Sequence, residues 1–398
     1  MIAVVAPFNP NAVADFLSEN NVLKTNTSAT SVNNMIRCLI EHNQKVCVFT
    51  TSSAVLKDKV ITYQSPYIKI YVIGVKSNLE ILTKFPSIKK IAKSISNVIK
   101  KEINNISIIH CHWTYEFAYA CLPFKSEKKV FCTIRDVAPI ICRSIPINLK
   151  LSNIVNKVYW IYKTFLQTNL LKKANYNYIA NSVYTKNIIN SIYKINNISI
   201  VPNSIETELI LQDAPKQKCR HTFITITSSV DIKRKNILTL LKAFIIYKEK
   251  HQDANLNIIG AYNKNRAVYK YVKKNNLLKS VIFYGPLERE RIITLIDQSS
   301  CMVHPATEET FGNTLLEGMA RNIPIIGGES SGAVPEVLGF GKYGILCNVL
   351  SPEQIYEKME LVNDETYTAK IIRQASDSVI RKYSNNAIYK KYKMIYNI

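Results

Sequence analysis

Apolar residues recur along this chain in two alternating rhythms. Short continuous runs rich in Ile and Val are separated by longer stretches in which apolar residues return every three or four positions. The first run covers residues 2–6, and residues 30–41 follow with Val32, Ile36, Leu39 and Ile40 on one helical face. Further runs lie at 45–50, 68–72, 106–110, 129–134, 178–180 and 199–201. A polar stretch at 206–220 breaks the series and reads as a linker. The series restarts at 223–227 and continues at 255–260, 281–284, 301–303, 324–327 and 344–347, with helical periodicity at 237–250, 352–361 and 365–396. Strands that alternate with helices in this way predict parallel sheets covered on both faces. The expected fold class is α/β, with two doubly wound, Rossmann-like domains facing a central cleft. Residues 1–205 form one domain and 206–383 the other, and a last helix, 384–398, crosses back over the first.

The densest chemistry lies between Cys301 and Asn348. A strand runs into His304-Pro305, a polar loop follows to Gly312, and a helix is expected to open at Asn313 as N-cap and run to about Arg321. The first backbone N–H groups of such a helix, at Thr314, Leu315 and Leu316, have no intrahelical partner, and with the helix dipole they suit an anion such as phosphate. Glu309 lies just before the helix and Glu317 one turn inside it. Two carboxylates beside a phosphate would repel it, so they suit hydroxyl groups on either side of a diphosphate: those of a sugar and those of a ribose.

The run Pro305, then Glu309-Thr310-Phe311-Gly312-Asn313-Thr314-Leu315-Leu316-Glu317, resembles the signature of the family 4 glycosyltransferases, as does the context that follows it: Pro324-Ile325-Ile326-Gly327-Gly328, Gly332 and Pro335-Glu336. So do the strings 178–182, 201–203, 256–260 and 281–285. The likeness is strong over the second half and loose over the first. It implies the GT-B fold and a retaining transfer from a nucleotide-sugar. It further implies that Glu317 binds ribose hydroxyls, that Glu309 binds hydroxyls of the transferred sugar, and that Phe311, Gly312, Asn313, Thr314, Leu315 and Gly285 contribute to the donor site. The family places an Arg after the first strand of the second domain and a Lys before the next helix. Lys235 matches the Lys. The Arg position falls on Ser228 or Ser229, and Arg234 is the candidate substitute. Clustered cations there could grip a diphosphate, Arg in a bidentate manner. Glu309, Lys235 and Arg234 are therefore the expected catalytic group. No Asp-x-Asp motif appears, so no metal and no cofactor are expected.

In the first half, Ile109-His110-Cys111-His112-Trp113 resembles a family string near the acceptor, which nominates His112. The family has a His that contacts the donor sugar where this chain has Arg135, followed by Asp136. That departure points to a charged donor or acceptor. The family's Gly-Gly loop near the first strand is replaced by the glycine-free Asn26-Thr27-Ser28-Ala29-Thr30.

Charge refines the picture. Lys and Arg number 52 against 29 Asp and Glu, a net +23, and residues 1–200 carry 25 basic and 9 acidic side chains, a net +16. The excess sits in the half expected to bind acceptor. Residues 84–101 and 153–173 read as basic amphipathic helices, the second rich in aromatics, that could lie on an anionic lipid surface. A lipid-linked saccharide acceptor fits that placement. Nine scattered cysteines without a Cys-x-x-Cys pair suit reduced thiols. The opening residues read as a strand, not a secretion signal. The expectation is a cytoplasmic protein, peripheral on the inner face of the cell membrane, that builds a surface polysaccharide or lipopolysaccharide. Two alternatives compete: another GT-B enzyme such as a sugar-nucleotide epimerase, and a basic nucleic-acid binder. No nucleic-acid module is present, and nucleic acid is not an expected partner.

Overall fold

The computed structural model describes residues 1–17, 22–23, 29–75, 84–145, 151–211 and 219–398. The chain divides into one unit of Met1–Ser204 with Ile388–Ile398 and a second of Ile205–Ala387. The first runs β1 (Ile2–Val5), α1 (Thr30–Glu41), β2 (Val46–Ser52), β3 (Val60–Gln64), β4 (Ile68–Gly74), α2 (Lys84–Glu102), β5 (Ile108–His112), α3 (Glu116–Ala120), β6 (Lys129–Ile134), α4 (Ala138–Ser144), α5 (Leu151–Lys173), β7 (Asn177–Ala180), α6 (Val183–Tyr193) and β8 (Ile198–Ile200).

These strands form one sheet in the order β3-β4-β2-β1-β5-β6-β7-β8. All pairings are parallel except β3 with β4, which is antiparallel. Successive side chains of β1 enter opposite layers: Ala3 and Val5 pack with α2 and α3, and Ile2 and Val4 pack with α1. Burial on both faces is why these strands read as unbroken apolar runs. β3 was not among the expected strands. It is an edge strand with only Tyr63 buried, so it carries no such run.

The second unit runs β9 (Cys219–Ser229), α7 (Ile237–Lys250), β10 (Asn255–Ala261), α8 (Ala267–Lys274), β11 (Val281–Gly285), α9 (Arg289–Asp297), β12 (Ser299–His304), α10 (Asn313–Ala320), β13 (Ile325–Gly328), α11 (Val334–Val337), β14 (Ile345–Cys347), α12 (Pro352–Leu361) and α13 (Glu365–Ser378). A π-turn at Val379–Tyr383 leads into α14 (Asn385–Tyr396), so the long terminal helix expected from the periodicity is two helices. Ile388, Tyr392 and Tyr396 of α14 are buried in the core of the first unit beside α1. The second sheet is wholly parallel, in the order β11-β10-β9-β12-β13-β14. Its strand order reverses between β9 and β12. In open α/β sheets the crevice at the carboxyl ends of strands flanking such a reversal is where ligands bind. The turn after β9 carries Lys235 and the loop after β12 carries Glu309.

Candidate functional site

Two backbone devices bring these segments together. After β9 the chain makes a short 3-10 turn, Lys233–Lys235, closed by Asn236 in the left-handed region at φ 55°. The Asn236 side chain donates to the carbonyls of Pro305 (3.2 Å) and Val349 (2.7 Å), and the Thr307 N–H donates to the carbonyl of Arg234 (2.8 Å). The cationic turn is thus fastened to the loop after β12. That loop is held on its other side where the Ala333 N–H donates to the Glu309 carbonyl (2.9 Å).

Lys235 donates to the Glu309 carboxylate, Arg234 Nη1 lies 3.9 Å from the same oxygen, and His304 Nε2 lies 3.6 Å from it. Burial pushes the Glu309 carboxyl upward, but His304 and Lys235 outweigh it and hold the group well below the usual carboxylate range. Glu309 is therefore a charged, preorganised acceptor.

Gly312, at φ 91°, is the residue that caps α10, and Asn313 is the first helical residue. This corrects the expected N-cap. A left-handed turn immediately before the helix requires a residue without Cβ strain, which asparagine one position later does not supply. One further expectation changes. The Leu315 N–H is already committed to the Gly312 carbonyl at 3.0 Å and its side chain is fully buried, which leaves the Thr314 N–H as the better-placed donor. Phe311 is buried edge-on against Tyr383, so only its backbone can meet a ligand. The Thr314 hydroxyl lies 3.5 Å from His304 Nδ1.

Glu317 sits on the next turn of α10. Burial raises its carboxyl to about 7; Arg289 opposes the rise and Glu206 adds to it. Arg289, the first residue of α9, pairs with Glu206 at 2.7 Å, while its buried Nε has no hydrogen-bond partner. A partly buried carboxyl without a hydrogen bond, within the electrostatic reach of an Arg289 whose Nε–H is unsatisfied, offers polar groups for something not supplied by the protein. Gly285 ends β11 at φ 70°, where a Cβ would make only an ordinary contact with Tyr262 at 3.9 Å.

In the first unit, β5 and β6 end in a buried polar chain. His110 bonds Tyr396 (2.5 Å) and Thr133 (2.7 Å) and stacks on His112. Arg135 donates from Nε to His112 Nδ1 (3.1 Å) and from Nη1 to Asn203 (2.5 Å). Burial, then the neighbouring His110 and Arg135, hold His112 neutral. His112 is 0 % exposed: it packs inside the unit, accepts from Arg135 through Nδ1, and its Nε2 has no hydrogen-bond partner. Arg135 is itself 9 % exposed. Asp136 accepts from the Tyr115 hydroxyl (2.9 Å), and burial raises its carboxyl against the pull of Lys163. Residues 26–28 of the glycine-free loop lie outside the described residues.

Residues 28–209 match the family model described as "Glycosyltransferase Family 4", and residues 212–378 match "Glycosyl transferases group 1". The chain belongs to the family 4 glycosyltransferases. As a glycosyltransferase it has relatives across its length. It is 26% identical over 324 residues to the N-acetyl-alpha-D-glucosaminyl L-malate synthase of Bacillus anthracis, covering 77% of this chain and 78% of that one. It is 24% identical over 234 residues to the capsular polysaccharide biosynthesis glycosyltransferase CapM of Staphylococcus aureus, covering 55% and 60%. Among solved structures it resembles sucrose-phosphate synthase from Thermosynechococcus elongatus, with a TM-score of 0.75 at 15% identity over 100% and 98% of the two chains. It also resembles WaaG, described as a glycosyltransferase involved in lipopolysaccharide biosynthesis, with a TM-score of 0.70 at 12% identity over 99% of each chain. At these identities the structural likeness fixes the fold, which is of the GT-B class.

Sequence reasoning did not nominate four residues that the structure of this glycosyltransferase brings to the candidate site: His304, Asn236, Arg289 and Glu206. His304 carried a signal, since it ends a strand next to a polar loop. Glu206 lay in the stretch read as linker, and nothing in its spacing joins it to Arg289.

Proposed function

We propose that this enzyme transfers a sugar from a nucleotide-sugar to a saccharide acceptor with retention of configuration, and that the acceptor is lipid-linked, in surface polysaccharide or lipopolysaccharide synthesis at the cytoplasmic face of the membrane. One observation carries the reading: Lys235 and Arg234 gather on the Glu309 carboxylate in the loop that leads into α10, while the unpartnered Glu317 carboxyl lies on the second turn of that helix. That is an anion site with a hydroxyl acceptor on each side.

In this reading the diphosphate rests on the Thr314 N–H and the positive end of α10. Lys235 and Arg234 stabilise the charge that grows on the leaving diphosphate, the role a divalent metal fills in other transferases. Glu309 orients hydroxyls of the transferred sugar, and Glu317 accepts from the ribose. Retention follows if the acceptor hydroxyl attacks from the face the diphosphate leaves and gives its proton to a departing phosphate oxygen. The net +16 on residues 1–200 supports a phosphate-bearing, membrane-held acceptor.

The test is turnover of UDP-, GDP-, dTDP- and ADP-sugars, read as released nucleoside diphosphate and as the anomeric configuration of the product. Turnover of one series, abolished in Glu309→Gln, is the expected result. No release from any donor with lipid-linked saccharides present, or an inverted product, overturns the reading.

A further inference from the structure

Helix α5 turns an apolar row away from the protein. Ile154, Val158, Ile161 and Phe165 are 44%, 45%, 54% and 61% exposed. Their spacing of four, three and four residues puts them on one face, about 16 Å long at the helical rise of 1.5 Å per residue. On the inner face Leu166, Gln167 and Leu170 are buried. Unlike an ordinary sheet-covering helix, α5 is apolar on both sides.

The surroundings define what could cover the row. From Val137 to Ile205 the chain has eight Lys and Arg and no Asp or Glu. Lys172 and Lys173 at the end of α5 are exposed, as are Lys89, Lys90 and Lys93 of α2, whose Ile88 shares a small core cluster with Leu166 of α5. The aromatic Trp160 and Tyr162 lie partly buried beside the row. Pairing with a second copy across a two-fold axis would set these lysines against themselves. A row one side chain wide also falls short of the roughly 800 Å² per partner that a stable protein interface buries.

We infer that this face of α5 is a docking surface for an anionic phospholipid bilayer. The row dips into the boundary between headgroups and acyl chains, and the flanking lysines meet lipid phosphates. The inference deepens the proposed reading, resting on a membrane-held acceptor for its purpose, and names the surface that would bring the enzyme to it.

The experiment is flotation of the full-length protein with vesicles of phosphatidylglycerol and phosphatidylcholine, or of phosphatidylcholine alone, at low and high salt and without substrate. Binding to the anionic vesicles is expected, falling several-fold in high salt and at least tenfold in the double variant Ile161→Glu, Phe165→Glu. Circular dichroism checks the variant's fold, and Phe165→Ser with Lys172→Glu, Lys173→Glu gives a second, milder probe. Nucleoside diphosphate release with a detergent-dispersed lipid-linked acceptor and no vesicles should be unchanged in all of them, which separates failure of docking from failure of the transfer reading. No binding to anionic vesicles at low salt, or equal binding by the variants, overturns the inference. So does a wild-type dimer that the same substitutions dissociate without any vesicle binding.

Discussion

Lys235 donates a hydrogen bond to Oε1 of Glu309, so the cation suited to a diphosphate and the carboxylate suited to a sugar hydroxyl form one ion pair in the free protein. The side chains are 11% and 14% exposed. A charge pair so little exposed holds its geometry, because neither partner can turn to water without leaving the other unpaired.

Replacing Lys235 with Ala should therefore act twice. Removing one group that stabilises the departing charge should lower the rate about 10²- to 10³-fold. It should also lower stability by about 3 kcal/mol, since Glu309 keeps only His304 and Arg234 nearby. Nucleoside diphosphate release and chemical denaturation measure the two effects. Activity within tenfold of wild type would remove Lys235 from the reaction.

Glu317 should make stability fall as pH rises. Its carboxyl is raised from the ordinary 4.5 to about 7, so between those values the folded protein holds a proton that the unfolded chain has released. Stability is then full below about 4.5 and is lost towards 7, by no more than about 3 kcal/mol. Glu309 runs the other way: its carboxyl is depressed, so its contribution is present above the ordinary value and lost only in acid. The variant Glu317→Gln should gain on wild type in melting temperature from pH 5 to pH 8. A constant difference would refute the assignment.

Gly312→Ala should cost more than Gly285→Ala. Both glycines have positive φ, at 91° and 70°, but a Cβ on Gly312 would come within 2.9 Å of Leu315 while one on Gly285 meets only Tyr262 at 3.9 Å. About 1 kcal/mol is expected at Gly285 and about 2 at Gly312, where activity should also drop because the first turn of α10 shifts. Equal costs would mean that the turn adapts.

Arg135→Met should destabilise the protein by about 1–3 kcal/mol, because Asn203 Oδ1 and His112 Nδ1 lose their buried donor. Thermal melts and nucleotide affinity together test this. A stability loss with unchanged affinity is expected.

The sheets were legible because strands buried on both faces leave continuous apolar runs, as at residues 2–6 and 301–303. β3 left none, being an exposed edge. Glu309, Glu317 and Lys235 were nominated by family spacing, but the meeting of Lys235 with Glu309 was not legible: they are 74 residues apart, and what unites them is the reversal of strand order between β9 and β12. Arg289 and Glu206 were hidden for the same reason. The cap at Gly312 was misread because Asn313 has the better capping chemistry, while the backbone needed a left-handed residue one position earlier.

The most direct measurement is calorimetric titration of UDP, GDP, dTDP and ADP, and of the matching nucleosides, into wild type, Lys235→Ala and Glu317→Ala. One diphosphate should bind selectively and weaken at least tenfold in each variant, and its nucleoside should lose affinity only in Glu317→Ala. Absence of binding by all four diphosphates, or wild-type affinity in both variants, would contradict the assignment of the donor to Lys235 and Glu317.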